Sequence, residues 1–118
     1  REPWVVVQIE HVDDVTNLEE ICRTPGIGSL LVGPFDLSAS IGRTGQIDHP
    51  DVVRLFDTVA SVARQHSVPF GAFTLSQNAP SIDAWLARGA SWLALDTDLV
   101  QLRNAAISTI QAVNRRRL

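Results

Sequence analysis

The 118 residues are 45% hydrophobic and 19% charged, the composition of one ordinary folded domain and not of a disordered chain. A formal net charge of −3 gives no footprint for nucleic acid, and no run of about 18 apolar residues is present to span a membrane. No basic segment followed by an apolar one marks a secretory signal, and a single cysteine, Cys22, excludes an internal disulfide, so the cytoplasm is the expected compartment.

In chain order, "WVVVQI" (4–9) is a continuous β-branched run, the mark of a strand buried on both faces. "DDVTNLEEICRT" (13–24) carries Val15, Leu18, Ile21 and Cys22 at helical spacing, with Cys22 as a packed thiol on the apolar side, and "PGIG" stops it. "SLLVG" (29–33) is the second strand, and the turn at 33–36 opens a short helix, "DLSASIG". A long helix is predicted from about Pro50 to Gln65, with Asp48 or His49 as its cap and proline in the first turn, where a missing N–H costs nothing. "PFGAFTL" (69–75) is the third strand, and "NAPSIDAWLARG" is a capped helix ending at Gly89. "SWLALD" (91–96) is the fourth strand. Residues 98 to 116 form a closing helix, and the terminal "NRRRL" places cations where the helix dipole favours them.

Strand and helix thus alternate four times, in units of about 30 residues, which implies a parallel α/β sheet. A small open doubly wound sheet is one solution, but "QIEHVDD" after the first strand has no glycine to hold a dinucleotide phosphate. A (β/α)₈ barrel takes about 250 residues, and four units make half of one. Alone, half a barrel leaves two sheet edges and its inner face exposed, so a partner half is expected. The sequence opens on Arg1 and has no methionine, so residues 1–118 are expected to be one partial domain from a processed or trimmed chain.

Barrel chemistry collects at the C-terminal ends of strands. Those ends hold Gln8 and Glu10, then Gly33, Pro34, Phe35 and Asp36, then Phe73 and Thr74, then Asp96. Neighbouring strands lie about 4.8 Å apart, so Glu10 and Asp36 can reach one cation, and Gln8 shares the Glu10 side of its strand. Two carboxylates without histidine or cysteine beside them make a hard oxygen site suited to Mg²⁺ or Mn²⁺, with Co²⁺ as a substitute. The open positions suit a chelating 2-oxo acid such as pyruvate. The N–H groups of Phe35 and Asp36 can point at its carboxylate, and Gln8 at its keto oxygen. Each residue also has a plainer role. Asp36 can be a helix N-cap, with Ser38 and Ser40 as helix surface, and Glu10 a solvated acid.

"VQIE" followed by "LLVGPFDLSASIG" resembles the HpcH/HpaI aldolase family, the type that cleaves 4-hydroxy-2-oxoheptanedioate or 2-dehydro-3-deoxyglucarate. The likeness continues through "HPDV" (49–52) and "ARGASWLALDTDLVQLRNA" (87–105), and it implies the C-terminal half of a TIM (β/α)₈ barrel. It further implies that Glu10 and Asp36 are the metal ligands, that Gln8 contacts the pyruvate oxygen, and that Gly33, Pro34 and Phe35 cradle its carboxylate. Phe73 to Leu75 would lie near the aldehyde pocket, which the bulky Phe35 would narrow or reshape. The family is usually hexameric, with terminal helices exchanged between subunits. Its arginine and its histidine–aspartate pair belong to the N-terminal half, so no catalytic proton-transfer group is assigned within this chain. His49 and His66 fall at helix ends, and His11 is read as a loop residue or a support for Glu10.

The expected reaction is reversible aldol cleavage of a 2-oxo-4-hydroxy acid to pyruvate and an aldehyde, with a divalent metal stabilising the enolate. All ten basic residues are arginine, so this chain supplies no Schiff-base lysine. The rivals are a citrate-lyase-β or malyl-CoA-lyase type of carbon–carbon lyase, a non-catalytic oligomerisation or ligand-binding module, and an open sheet binding an anion near Gly33.

Overall fold

The computed structural model describes residues 3–75 and 78–116. Four parallel strands, β1 (Val5–Ile9), β2 (Ile27–Val32), β3 (Phe70–Thr74) and β4 (Trp92–Leu95), form one sheet in the order β1-β2-β3-β4. Helices α1 (Val12–Thr16) and α2 (Leu18–Arg23) join the first pair. Helices α3 (Pro34–Ser40) and α4 (Pro50–Gln65) join the second, α5 (Ala79–Ala87) the third, and α6 (Asp98–Arg115) follows β4. Sequential neighbours in a parallel sheet, each reached through a helix, are the wall pattern of a (β/α)₈ barrel.

Strand side chains alternate between two faces, and the helices cover only one of them. Ile9, Leu30, Val32, Phe70 and Ala72 point into the helix layer and pack with Leu18, Leu37, Val52, Phe56, Val59 and Trp85. At about 25 cal/mol per Å² of apolar surface, this single layer is the main stabilising term of the chain. The alternate residues face the other way. Val6 keeps 39% of its surface and Gln8 is exposed, so β1 is not the doubly buried strand its sequence suggests. A run apolar at all but Gln8 shows that both faces tolerate burial; it does not supply the layer that would cover the second.

Trp92 shields part of that second face. Gln8, Leu31, Gly71 and Trp92 occupy one registered row across the four strands. The indole lies across Gly71 and donates its Nε1–H to Ser29 Oγ at 2.9 Å, while Ser29 donates to the Pro69 carbonyl at 2.8 Å.

The segment expected as one helix over 13–24 is two short ones hinged at Asn17, which caps one and opens the other. Asn17 has low helix propensity, and its side chain donates to the Asp13 carbonyl, competing with a continued helix. His49 caps α4, its Nδ1 accepting the Asp51 N–H, and Pro50 occupies the first turn. No residue of α6 is buried. Of the basic run, Arg115 lies in the last turn of α6, as its dipole favours, while Arg117 and Leu118 lie outside the described residues. Among the described residues no helix is long and apolar enough to cross a membrane.

Cys22 is half-buried against the core, and burial, with Glu19 adding a smaller push, raises its thiol pKa above the usual value. Thiolate is the reacting form, so Ellman's reagent should modify native Cys22 at pH 7.5 roughly tenfold or more slowly than the urea-unfolded chain. Equal rates in the two states would show that the thiol is not packed.

Candidate acid site at the strand ends

Glu10 and Gln8 lie on the open face, separated by the buried Ile9. The ladder continues one residue past the strands, with the Gly33 N–H donating to the Ile9 carbonyl at 3.0 Å, and this brings Glu10 beside Gly33. The fit at Gly33 is tight. A Cβ at position 33 would stand 3.2 Å from both Gln8 Nε2 and Glu10 Cβ. Gln8 Nε2 donates to Glu10 Oε2 at 2.6 Å, which fixes the orientation of that carboxylate.

Gly33 is the N-cap of α3, with no side chain to cap it, and Pro34 is the first helical residue. The first intrahelical bond runs from the Leu37 N–H to the Gly33 carbonyl, so the N–H groups of Phe35 and Asp36 have no partner within the helix. Asp36 is therefore in the first turn and is not the N-cap, the plainer role its sequence allowed. Its carboxylate is exposed and accepts no hydrogen bond among the described residues. Two acids consequently stand on neighbouring strand ends. Glu10 and Asp36 line the same open recess of about 490 Å³, bordered by His11, Ala39 and Ser40. Asp36 also lines a second recess of about 320 Å³ with Gln8, Gly33, Pro34, Phe35 and Phe73. Gln8, Glu10, Gly33, Pro34, Phe35 and Asp36 thus line these two hollows, whereas Thr74 and Leu75 do not. Among the described residues no group of three or more His, Cys, Asp or Glu is placed to hold a metal ion.

His11 is the N-cap of α1, its Nδ1 accepting the Asp13 N–H at 3.2 Å and lying 3.4 Å from the Asp13 carboxylate. It borders the acid recess, whereas His49 and His66 flank the two ends of α4.

Three positioning residues are not apparent from the acids alone. Asp14 Oδ2 accepts the N–H of Glu10 at 3.0 Å and of His11 at 2.8 Å, clamping the turn that presents Glu10. An acid three residues after a capping residue is the sequence signal for that clamp. Ser38 is fully buried and not on the helix surface: its hydroxyl donates to the Phe35 carbonyl and accepts the Gly45 N–H. Ser40 donates to the Leu37 carbonyl and accepts the Val12 N–H, tying α3 to the turn that carries Glu10. Small hydroxyls spaced by two fit equally an exposed turn, so the burial of Ser38 and the partial burial of Ser40 become visible only with the neighbouring loops in place.

The profile of the HpcH/HpaI aldolase/citrate lyase family matches residues 2–105. The 5-keto-4-deoxy-D-glucarate aldolase of Klebsiella pneumoniae is 35% identical over 101 residues, covering 86% of this chain and 39% of that protein. Its counterpart from Shigella dysenteriae matches at the same identity and coverage. An HpcH/HpaI aldolase structure from Desulfitobacterium hafniense superimposes with a TM-score of 0.83 and 29% identity, over 93% of this chain and 42% of that one. An HpcH/HpaI aldolase/citrate lyase family protein from Burkholderia cenocepacia gives 0.85 and 32%, over 94% and 42%. The chain therefore spans about two fifths of the length of the relatives it matches.

Proposed function

Because the chain belongs to the HpcH/HpaI aldolase/citrate lyase family, we propose that it forms the acid-bearing part of a pyruvate aldolase. The observation that carries this reading is the pair of Glu10 and Asp36 on one open recess, with the Asp36 carboxylate accepting no hydrogen bond among the described residues. Two hard oxygen donors fit Mg²⁺ or Mn²⁺, with Co²⁺ as a substitute, and the Gln8–Glu10 hydrogen bond holds one donor in place before anything binds. When bound, such an ion supplies Lewis-acid polarisation of a 2-oxo group.

The rest of the work falls to this chain's own groups. The N–H groups of Phe35 and Asp36 face a carboxylate of the 2-oxo acid, and Gly33 and Pro34 shape the floor beneath it. Gln8 has a second amide hydrogen to offer the keto oxygen. In the synthetic direction a proton leaves C3 of pyruvate, and that electron pair forms the bond to the aldehyde carbon. The aldehyde oxygen then takes up a proton, giving a 4-hydroxy-2-oxo acid. The base and the keto-directed cation are assigned to the part of the barrel beyond these residues, whose length the coverage of the relatives indicates. In this reading residues 1–118 are one partial domain, the C-terminal half of the barrel.

The test uses the full-length enzyme and pyruvate in D₂O with Mg²⁺. The methyl protons should exchange at a rate well above that with EDTA, and without any aldehyde present. No Mg²⁺-dependent exchange would sink the assignment.

A further inference from the structure

A separate hollow of about 170 Å³ lies in the helix layer, between α4 and α5. Both helices lead back from one parallel strand to the next, so they run in the same direction. The floor is the buried pair Phe56 and Trp85, with ring centroids 4.8 Å apart. Opposite charges line the two ends: Asp48, just before α4, and Arg88, just after α5. The Arg88 guanidinium is held in place over the floor, 5.9 Å from the Phe56 centroid and 5.4 Å from that of Trp85. Its Nε–H donates to Asp57 at 2.8 Å and an Nη1–H to the Ala84 carbonyl at 3.1 Å, while its Nη2 hydrogens have no partner among the described residues. Asp48 is exposed and accepts no hydrogen bond among the described residues. The other polar groups are neutral. Asn78 Oδ1 accepts the Ser81 N–H at 3.2 Å and Ser81 Oγ accepts the Thr74 hydroxyl at 2.9 Å, which leaves the Asn78 amide hydrogens as donors.

The helix sets the distance between the two charges. From Pro50 to Phe56, α4 rises about 9 Å, so Asp48 and the guanidinium above Phe56 address opposite ends of one slot. Ile47, Val53, Pro80 and Ala84 line the stretch between them with carbon. A simple anion or cation would answer one charge and oppose the other, and an uncharged chain would answer neither. We infer that this hollow binds a small zwitterion whose two charges are separated by a short carbon chain. An ω-amino acid of about four to six carbons fits, with its ammonium on Asp48 and its carboxylate on Arg88. Neither charged residue lines the proposed pyruvate recess, so the inference does not rest on the aldolase reading. Both helices belong to this chain, so the remainder of the barrel is not needed to build the slot.

The test is calorimetric titration of the full-length, metal-free enzyme with 5-aminopentanoate. A Kd of about 1 mM or tighter is expected for a ligand of this size. Glycine, whose charges lie too close together to reach both residues, should bind at least about tenfold more weakly. Asp48→Asn should weaken 5-aminopentanoate about fivefold. Asp48→Lys puts a cation at each end and should reverse the preference, so that pentanedioate binds more tightly than 5-aminopentanoate. The Asp48 side chain is exposed and holds no hydrogen bond among the described residues, so both variants should keep the parent's circular dichroism. Ala84→Leu fills the slot and should abolish binding; if that variant does not fold, the preference of Asp48→Lys decides alone. Excess pyruvate with Mg²⁺ should not displace the bound amino acid. The inference is overturned if 5-aminopentanoate does not bind, if glycine binds as well, if Asp48→Lys leaves the preference unchanged, or if pyruvate displaces the ligand, which would put it in the acid recess.

Discussion

Glu10→Gln or Asp36→Asn in the full-length enzyme should lower Mg²⁺-dependent exchange of pyruvate protons a hundredfold or more. Removing groups that merely support a metal ligand already costs about 10- to 100-fold, and these residues are the proposed ligands themselves. Neither change should disturb the fold. Both side chains are exposed, and Asp36 holds no hydrogen bond among the described residues that its loss would break. Surface changes of this kind stay within about 0.5 kcal/mol. Two like charges on one recess also repel when nothing sits between them, so the metal-free variants should melt no lower than the parent. The contrast is diagnostic. Added Mg²⁺ should raise the melting temperature of the parent and leave both variants unmoved, because a ligand stabilises only the state that binds it. If either variant keeps the parent's Mg²⁺ response, its carboxylate is not a ligand.

Much of this site is legible in the sequence because it depends on two local rules. Strand parity places Gln8 and Glu10 on one side, and a glycine–proline step after an apolar run turns the chain into α3 just where Asp36 must project. What sequence leaves undecided is non-local. Whether Asp36 or Gly33 caps α3 depends on which residue leaves the strand direction, and both choices satisfy the local pattern. The exposure of β1 depends on a layer that the run "WVVVQI" cannot specify. Ser38 is buried and Ser40 half-buried by the loops around Gly45 and Val12, which approach from elsewhere in the chain. The break at Asn17 is local, but the apolar spacing of Val15, Leu18 and Ile21 continues through it and hides it. That break apart, residues fixed by their immediate neighbours could be read, and those fixed by a distant backbone could not.

The second large effect concerns Gly71, for which nothing in the phrase "PFGAFTL" announces a tight fit. A Cβ at that position would lie 2.4 Å from Trp92 Cδ2 and 2.7 Å from the Trp92 carbonyl oxygen. Real Cβ atoms do not come so close, so Gly71→Ala must push the indole off the sheet and strain the adjacent strand. Overpacking of this kind costs about 1–3 kcal/mol. Displacing the indole also breaks its hydrogen bond to the buried Ser29, which adds about 1 kcal/mol. Urea unfolding of the chain that carries the site should therefore show a loss of about 2–4 kcal/mol. Trp92→Leu combined with Gly71→Ala should recover only part of the loss, because the carbonyl oxygen remains after the ring is gone. A full recovery would mean that the ring alone enforces glycine, and a loss below about 0.5 kcal/mol would mean that the indole does not occupy this place at all. The consequence reaches the acid site through the sheet itself. Gly71 and Trp92 end the registered row that begins at Gln8, so a strand displaced there changes the floor on which Gln8 orients Glu10. Exchange of pyruvate protons in the Gly71→Ala enzyme should fall even at temperatures where the protein remains folded.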